Sequence, residues 1–194
     1  MAHSRMTRLA AISVLALGLF GTAEAGDWDI VLNGRSIHVD GDRDWNESNW
    51  GLGVEHEFNP EDRWVKLVLG NGFLDSDDEM SYMGGGGIKR RFRLPLAQRR
   101  VHVDLGAIGF VMTRHDVNNS EPFPSILPVL SVGTRQFAVN LTYLPGHFAE
   151  QMAGARTADP NLDGILFLQF KINARLFSRG RNARSERLAA NTAH

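Results

Sequence analysis

Two extended segments of this chain run out into residues whose side chains could do chemistry: one ends at His38, the other at Asp75 followed by Ser76. An imidazole can take a proton from a hydroxyl. A hydroxyl can attack a carbonyl or steady an oxyanion, and a carboxylate can orient or charge the imidazole. Held at one level, the three would suit acyl transfer, with His38 as general base, Ser76 as hydroxyl or oxyanion partner, and Asp75 orienting the ring. The types alone are weakly specific, because Asp75-Ser76-Asp77-Asp78 is ordinary loop composition. His115 and His147 are rival histidines that spacing does not exclude.

Whatever positions these groups is exported. Residues 1–25 read as a secretory signal, with Arg5 and Arg8 ahead of the apolar run Leu9 to Phe20 and Ala23-Glu24-Ala25 before Gly26. That run is too short for a membrane helix, which needs about 20 residues. No later window is apolar enough either, so any membrane embedding must use a barrel. The chain has no cysteine, so an exported protein of 194 residues would hold together without disulfides. Its formal net charge of -1 argues against nucleic acid as a partner, and nothing in the sequence asks for a cofactor or metal.

Eight period-two segments follow the signal: Trp28 to His38, Gly51 to Phe58, Trp64 to Leu74, Ser81 to Leu94, Val101 to Thr113, Pro124 to Gly133, Gln136 to Leu144, and Gly164 to Ile172. Short connections (Asn59 to Arg63, Pro95 to Arg100, Thr134-Arg135) alternate with mostly longer polar ones. An even strand count with that loop asymmetry predicts an all-β fold, an eight-stranded antiparallel transmembrane outer-membrane barrel over residues 26–172. A secreted soluble sandwich with one polar face is the competing reading. Residues 173–194 are rich in arginine and read as a basic, disordered periplasmic tail.

Two features of the barrel interior and wall bear on function. Pro128 and Pro145 lie on neighbouring strands, and neither can donate to a ladder, which predicts an unbonded seam open to lipid. Strand parity also splits the interior. Glu55, Glu57, Lys89, Arg91, Arg93, His102 and Asp104 form a charged lower half, while Ile108, Phe110 and Met112 leave an apolar well above it. Gly84 to Gly87 supply missing bulk or close backbone packing.

These residues resemble the lipid A palmitoyltransferases of the outer membrane, the PagP family. The resemblance is carried by Leu127-Pro128, Ser131-Val132-Gly133 and Thr142-Tyr143-Leu144-Pro145-Gly146, then by Phe73-Leu74-Asp75-Ser76 with the glycine-rich strand ending at Gly87, and more weakly by Trp45-Asn46-Glu47, Trp50-Gly51 and Thr113-Arg114. It implies a monomeric barrel in the outer-membrane bilayer that moves a palmitoyl chain from the sn-1 position of a phospholipid donor to lipid A. It implies catalytic His38, Asp75 and Ser76, an acyl-well floor at Gly87, a side door at Pro128 and Pro145, and a substrate contact at Arg114. The match of His38 requires a shortened first outer loop. The family's proline in strand one is absent near Asn33, so a second lateral opening is not implied, and its helix ahead of the barrel has no counterpart before Trp28. A non-catalytic surface barrel and a lipid A deacylase are the alternatives.

Overall fold

The structure, a computed structural model, describes residues 26–42, 45–96, 99–115, 117, 121–148 and 161–177. The expected signal segment and residues 178–194 of the expected tail lie outside the described residues. Eight strands run in chain order: β1 (Gly26–Val39), β2 (Gly51–Phe58), β3 (Trp64–Leu74), β4 (Met80–Leu96), β5 (Arg99–Thr113), β6 (Phe123–Gly133), β7 (Phe137–Pro145) and β8 (Gly164–Asn173). Every neighbouring pair is antiparallel, and β1 pairs with both β2 and β8, which closes the barrel. Strand ends shift by one or two residues from the periodicity reading. The largest consequence is at Pro95 to Arg100, where β4 and β5 keep pairing to Leu96↔Arg99 and the expected turn shrinks.

The alternation runs opposite to that of a soluble fold. Outward Leu52, Val54, Leu105, Val111 and Ile126 are exposed, whereas inward Glu55, Lys89 and Asp104 are buried. Water outside would penalise that arrangement, and hydrocarbon outside favours it, which removes the soluble sandwich. Aromatic residues stand at both ends of the outward band, with Trp50, Tyr82 and Tyr143 near the upper rim and Trp28, Trp64, Phe92 and Phe137 near the lower one. At the lower end the Arg90 guanidinium lies 5.9 Å from the Trp64 ring centroid and 5.1 Å from that of Phe92.

The interior below mid-height is a plug of charges, each with several partners. Lys171 Nζ meets Glu55 Oε1 at 2.6 Å, Glu57 Oε1 at 2.8 Å and Asp29 Oδ2 at 2.9 Å. Lys89 Nζ meets the same Glu55 and Glu57 oxygens at 3.0 and 2.7 Å. Arg91 forks onto Asp104 at 2.8 and 2.7 Å and reaches Glu57 at 2.9 Å. The carboxylates of Asp29, Glu55 and Glu57 are close enough together to hold a cation, and the Lys171 ammonium supplies one. Asp29 and Lys171 join the plug in addition to the charged residues expected there. Sequence parity also places Arg93 inside, whereas Arg93 is exposed and donates to the carbonyls of Pro60 and Glu61 in the β2–β3 turn.

Above the plug, three carboxamides are linked through Asn33. Asn33 and Asn71 exchange side-chain hydrogen bonds at 2.8 and 2.9 Å, and Gln169 Nε2 donates to Asn33 Oδ1 at 2.7 Å. Beside it sits the apolar cluster of Leu67, Ile108, Phe110 and Val129.

The wall is fully laddered except at two upper seams. β6 and β7 pair only from Val129↔Thr142 down to Gly133↔Ala138, so Phe123 to Pro128 and Tyr143 to Pro145 have no ladder partner across that gap. Their outer flanks remain paired to β5 and β8. Likewise β1 leaves β2 after Asn33↔Gly51, with an irregularity between Asn33 and Arg35, but here a loop covers the gap, since Ser36 N donates to Glu47 O at 3.0 Å.

Candidate active site at the upper rim

β3 ends at Leu74, and the chain turns at once around the next side chain. Asp75 Oδ1 accepts from the backbone N–H of Asp77 (2.9 Å) and Glu79 (3.1 Å), while Oδ2 accepts from Ser81 Oγ at 2.8 Å. The backbone closes the same loop, Asp75 N donating to Glu79 O and Asp78 N to Asp75 O. Asp78 takes φ 62°, a left-handed turn position that aspartate tolerates better than most residues. A short polar side chain satisfying several N–H groups is a local consequence of the Asp-Ser-Asp-Asp sequence.

That loop aims Ser76 at β1. Ser76 Oγ lies 3.2 Å from His38 Nε2, and the His38 ring stacks on Trp45 with centroids 5.0 Å apart and planes 9° apart. Asp75 is not against the imidazole: its carboxylate partners are its own loop, Ser81 and Arg114, whose Nε is 3.6 Å from Asp75 Oδ2. Arg114 also bonds Asp77 Oδ2 at 2.8 Å. Of the rim histidines, only His38 lines the cavity below; His115 and His147 are exposed, and His147 packs on Phe148.

The first upper loop fastens this pair from above. Asn46 N donates to Ser76 O at 3.0 Å, and Asn46 Nδ2 donates to Asp78 Oδ1 at 2.7 Å. Glu47 Oε2 accepts from Arg35 at 2.8 Å, and this hydrogen bond holds the Glu47 carboxyl below the ordinary carboxylate range. The Trp45-Asn46-Glu47 motif carries no mechanistic signal in the sequence; its role follows only from the loop folding back over Ser76.

Beneath the pair is a cavity of about 130 Å³. Its mouth includes His38, Trp45, Asp75, Ser76 and Arg114, and its walls include Met83, Phe110, Met112, Leu144, Ile165 and Phe167. Its mostly apolar wall suits an apolar ligand, of the kind that engineered apolar cavities of about 150 Å³ bind. Phe123, Ser125, Leu127 and Leu144 line it from the stretch where β6 and β7 are unpaired, so the seam gives on to the cavity. Pro128 and Pro145 belong to that stretch but do not line the cavity.

Gly87 is not among the residues lining the cavity, while Ile108, its cross-strand partner on β5, is. A Cβ at position 87 would meet Ala107 O at 2.4 Å and Ile108 Cγ1 at 3.0 Å, so its missing side chain serves close strand packing.

The fold and rim geometry agree with a comparison of sequences. Residues 26–154 match the family model described as antimicrobial peptide resistance and lipid A acylation protein PagP. The chain belongs to the PagP family. The PagP match runs from β1 through β7 and includes all the rim residues above, while β8, which closes the barrel, lies beyond it. A lipid A acyltransferase PagP of Bordetella pertussis is 32% identical over 127 residues, covering 62% of this chain and 68% of that protein. The PagP of Methylobacillus flagellatus is 29% identical over 132 residues, with 64% and 70% covered. That of Klebsiella pneumoniae is 33% identical over 106 residues, 54% of each chain.

Proposed function

We propose that this protein is an outer-membrane acyltransferase that moves a palmitoyl chain from the sn-1 position of a phospholipid to lipid A. The observation that carries the reading is a coincidence in space: the Ser76–His38 contact sits at the mouth of an apolar cavity whose wall includes the unbonded β6–β7 seam. A donor chain passes between the strands at Pro128 and Pro145, fills the well, and brings its ester carbonyl to the rim. His38 Nε2 takes the proton of the attacking hydroxyl, the new acyl C–O bond forms, the old ester bond breaks, and the released glycerol oxygen receives that proton. Ser76 Oγ either carries the acyl group between donor and acceptor or donates to the oxyanion, and trapping an acyl-Ser76 adduct separates these routes. Asp75 acts through its loop, holding Ser76 in place. Arg114 anchors Asp75 and Asp77 and meets the headgroup of an incoming lipid.

Mass spectrometry of lipid A from cells with and without the protein tests the reading. One added palmitate is expected. No change would favour a non-catalytic barrel, and one lost chain a deacylase.

A further inference from the structure

The outward face of the wall from β2 to β5 is built for hydrocarbon, yet it carries two cations. Strand parity turns Trp64, Lys66 and Val68 of β3 outward, and Ile88, Arg90 and Phe92 of β4 with them. Lys66 and Arg90 are both exposed. No other outward position of β2, β3 or β4, nor of β5 from Val101 to Thr113, holds a lysine, arginine, aspartate or glutamate. The two cations are also neighbours. Lys66 pairs with Ile88 and Trp64 with Arg90, so they stand diagonally across one ladder, with backbones about 7–8 Å apart.

Neither cation has an anion on the protein. No carboxylate of a described residue lies within 4.0 Å of the Lys66 ammonium or the Arg90 guanidinium, and neither group donates a hydrogen bond to a described residue. What Arg90 touches is aromatic: its guanidinium lies 5.9 Å from the Trp64 ring centroid and 5.1 Å from that of Phe92. Those rings hold the guanidinium against the wall and leave its N–H edge to an acceptor from outside.

Depth decides what that acceptor is. Arg90 lies eight residues below Tyr82 on β4, which at about 3.3 Å per residue and a tilt of about 40° is about 20 Å down a lipid-facing band of about 25 Å. The guanidinium therefore stands where hydrocarbon gives way to the headgroups of the lower leaflet, level with the exposed rings of Trp64 and Phe92. Lys66 starts one rung higher, and its four-carbon stem is long enough to carry the ammonium down to the same level. The bilayer's own anion at that depth is the phosphodiester of a glycerophospholipid, whose oxygens accept from a guanidinium fork and an ammonium together.

We propose that Lys66 and Arg90, flanked by Trp64 and Phe92, form a binding site for the phosphate of an anionic glycerophospholipid in the lower leaflet. The lipid is a ligand of the barrel wall, held at the opposite end from Ser76 and His38. The site requires only a membrane-embedded barrel and does not depend on the reaction assigned to the rim.

The test compares the wild-type barrel with Lys66→Met, Arg90→Met and the double variant, each refolded and confirmed as heat-modifiable. Native mass spectrometry in non-ionic detergent counts retained phosphatidylglycerol against phosphatidylethanolamine of the same acyl chains. Wild type should favour phosphatidylglycerol by about fivefold per cation, about 25-fold in all. Each single variant should lose about fivefold of that preference and the double variant all of it, while Lys66→Arg, which keeps the charge, should stay within about twofold of wild type. Bilayers give a second measurement with a diagnostic sign. Because each methionine replaces an unpaired cation facing lipid, the variants in phosphatidylcholine vesicles should unfold at a denaturant midpoint no lower than that of wild type. Adding phosphatidylglycerol to the vesicles should raise the midpoint of wild type and leave that of the double variant in place. Equal retention of the two lipids by wild type, or a preference that survives in the double variant, overturns the proposal. Displacement of the lipid by millimolar inorganic phosphate would assign the site to a soluble anion and overturn it as well.

Discussion

The lower and upper halves of this barrel are made from the same eight strands and are built to opposite ends. Below, each buried ammonium or guanidinium among the described residues has at least two carboxylate partners. Above, the contact between Ser76 and His38 stands over an apolar well, and one wall seam is left without ladder hydrogen bonds. The difference teaches where each cost is met. Buried charges are tolerable only as a complete network, which the lower half supplies, whereas the upper half carries the gap and the apolar cavity.

The comparison can be broken at the top first. His38→Ala and Ser76→Ala should each reduce acyl transfer by about 10²–10⁴-fold, measured on refolded barrels, while unfolding in denaturant changes little. Asp75→Ala should lose comparable activity for a different reason, because its loop loses three hydrogen bonds; Asp75→Asn keeps an acceptor and should retain part of it. If instead only His115→Ala or His147→Ala abolishes turnover, the rim assignment is wrong.

Breaking the lower half should do the reverse. Lys171→Met removes a cation shared by three buried carboxylates and leaves Asp29 without an ammonium partner, which should cost about 3–5 kcal/mol of unfolding free energy, read from denaturant midpoints, with transfer by the still-folded fraction preserved. A loss of activity per folded molecule larger than the loss of stability would show that the halves are coupled.

The seam offers a smaller effect. Replacing Pro128 and Pro145 together with alanine restores two backbone donors and allows the β6–β7 ladder to grow upward past Val129↔Thr142. Transfer from bilayer-embedded donors should fall several-fold, and hydrogen exchange should slow along Tyr143 to Pro145. Exchange that slows with no change in rate would mean that lipid reaches the well another way.

The smallest effect is at the loop that clasps the rim. The Glu47 carboxyl ordinarily titrates near 4.5 and is held lower by its hydrogen bond from Arg35, so the pair's contribution is present above that value and is lost as pH falls through the depressed one. Glu47→Gln should cost under about 1 kcal/mol at neutral pH, as the pair is partly exposed, and the gap from wild type should close in acid. A gap that widens in acid would contradict the direction of the shift.

Much of this arrangement is legible along the chain because side-chain direction in a strand alternates with period two and needs no knowledge of partners. That local rule suffices for Glu55, Glu57, Lys89, Arg91 and Asp104 inside and for the apolar outward band. The same parity holds on β1 and β8, where Asp29 and Lys171 are buried. The proline seam is equally local, since proline lacks an N–H wherever it sits.

What the sequence by itself determined was therefore the barrel, its inside and outside, its weak seam and the three polar residues at its rim, all properties of single strands or single residues. The tertiary structure decided that His38 and not another histidine meets Ser76 across 38 residues of chain, that Asp75 serves its own loop and Arg114, and that Gly87 packs against the backbone of β5. Those outcomes depend on how closure of β1 on β8 and the path of the loop through Trp45 and Asn46 bring distant groups to one height, and on how closely β4 approaches β5. Neither is encoded in alternation, because both arise between residues that meet only in the closed barrel.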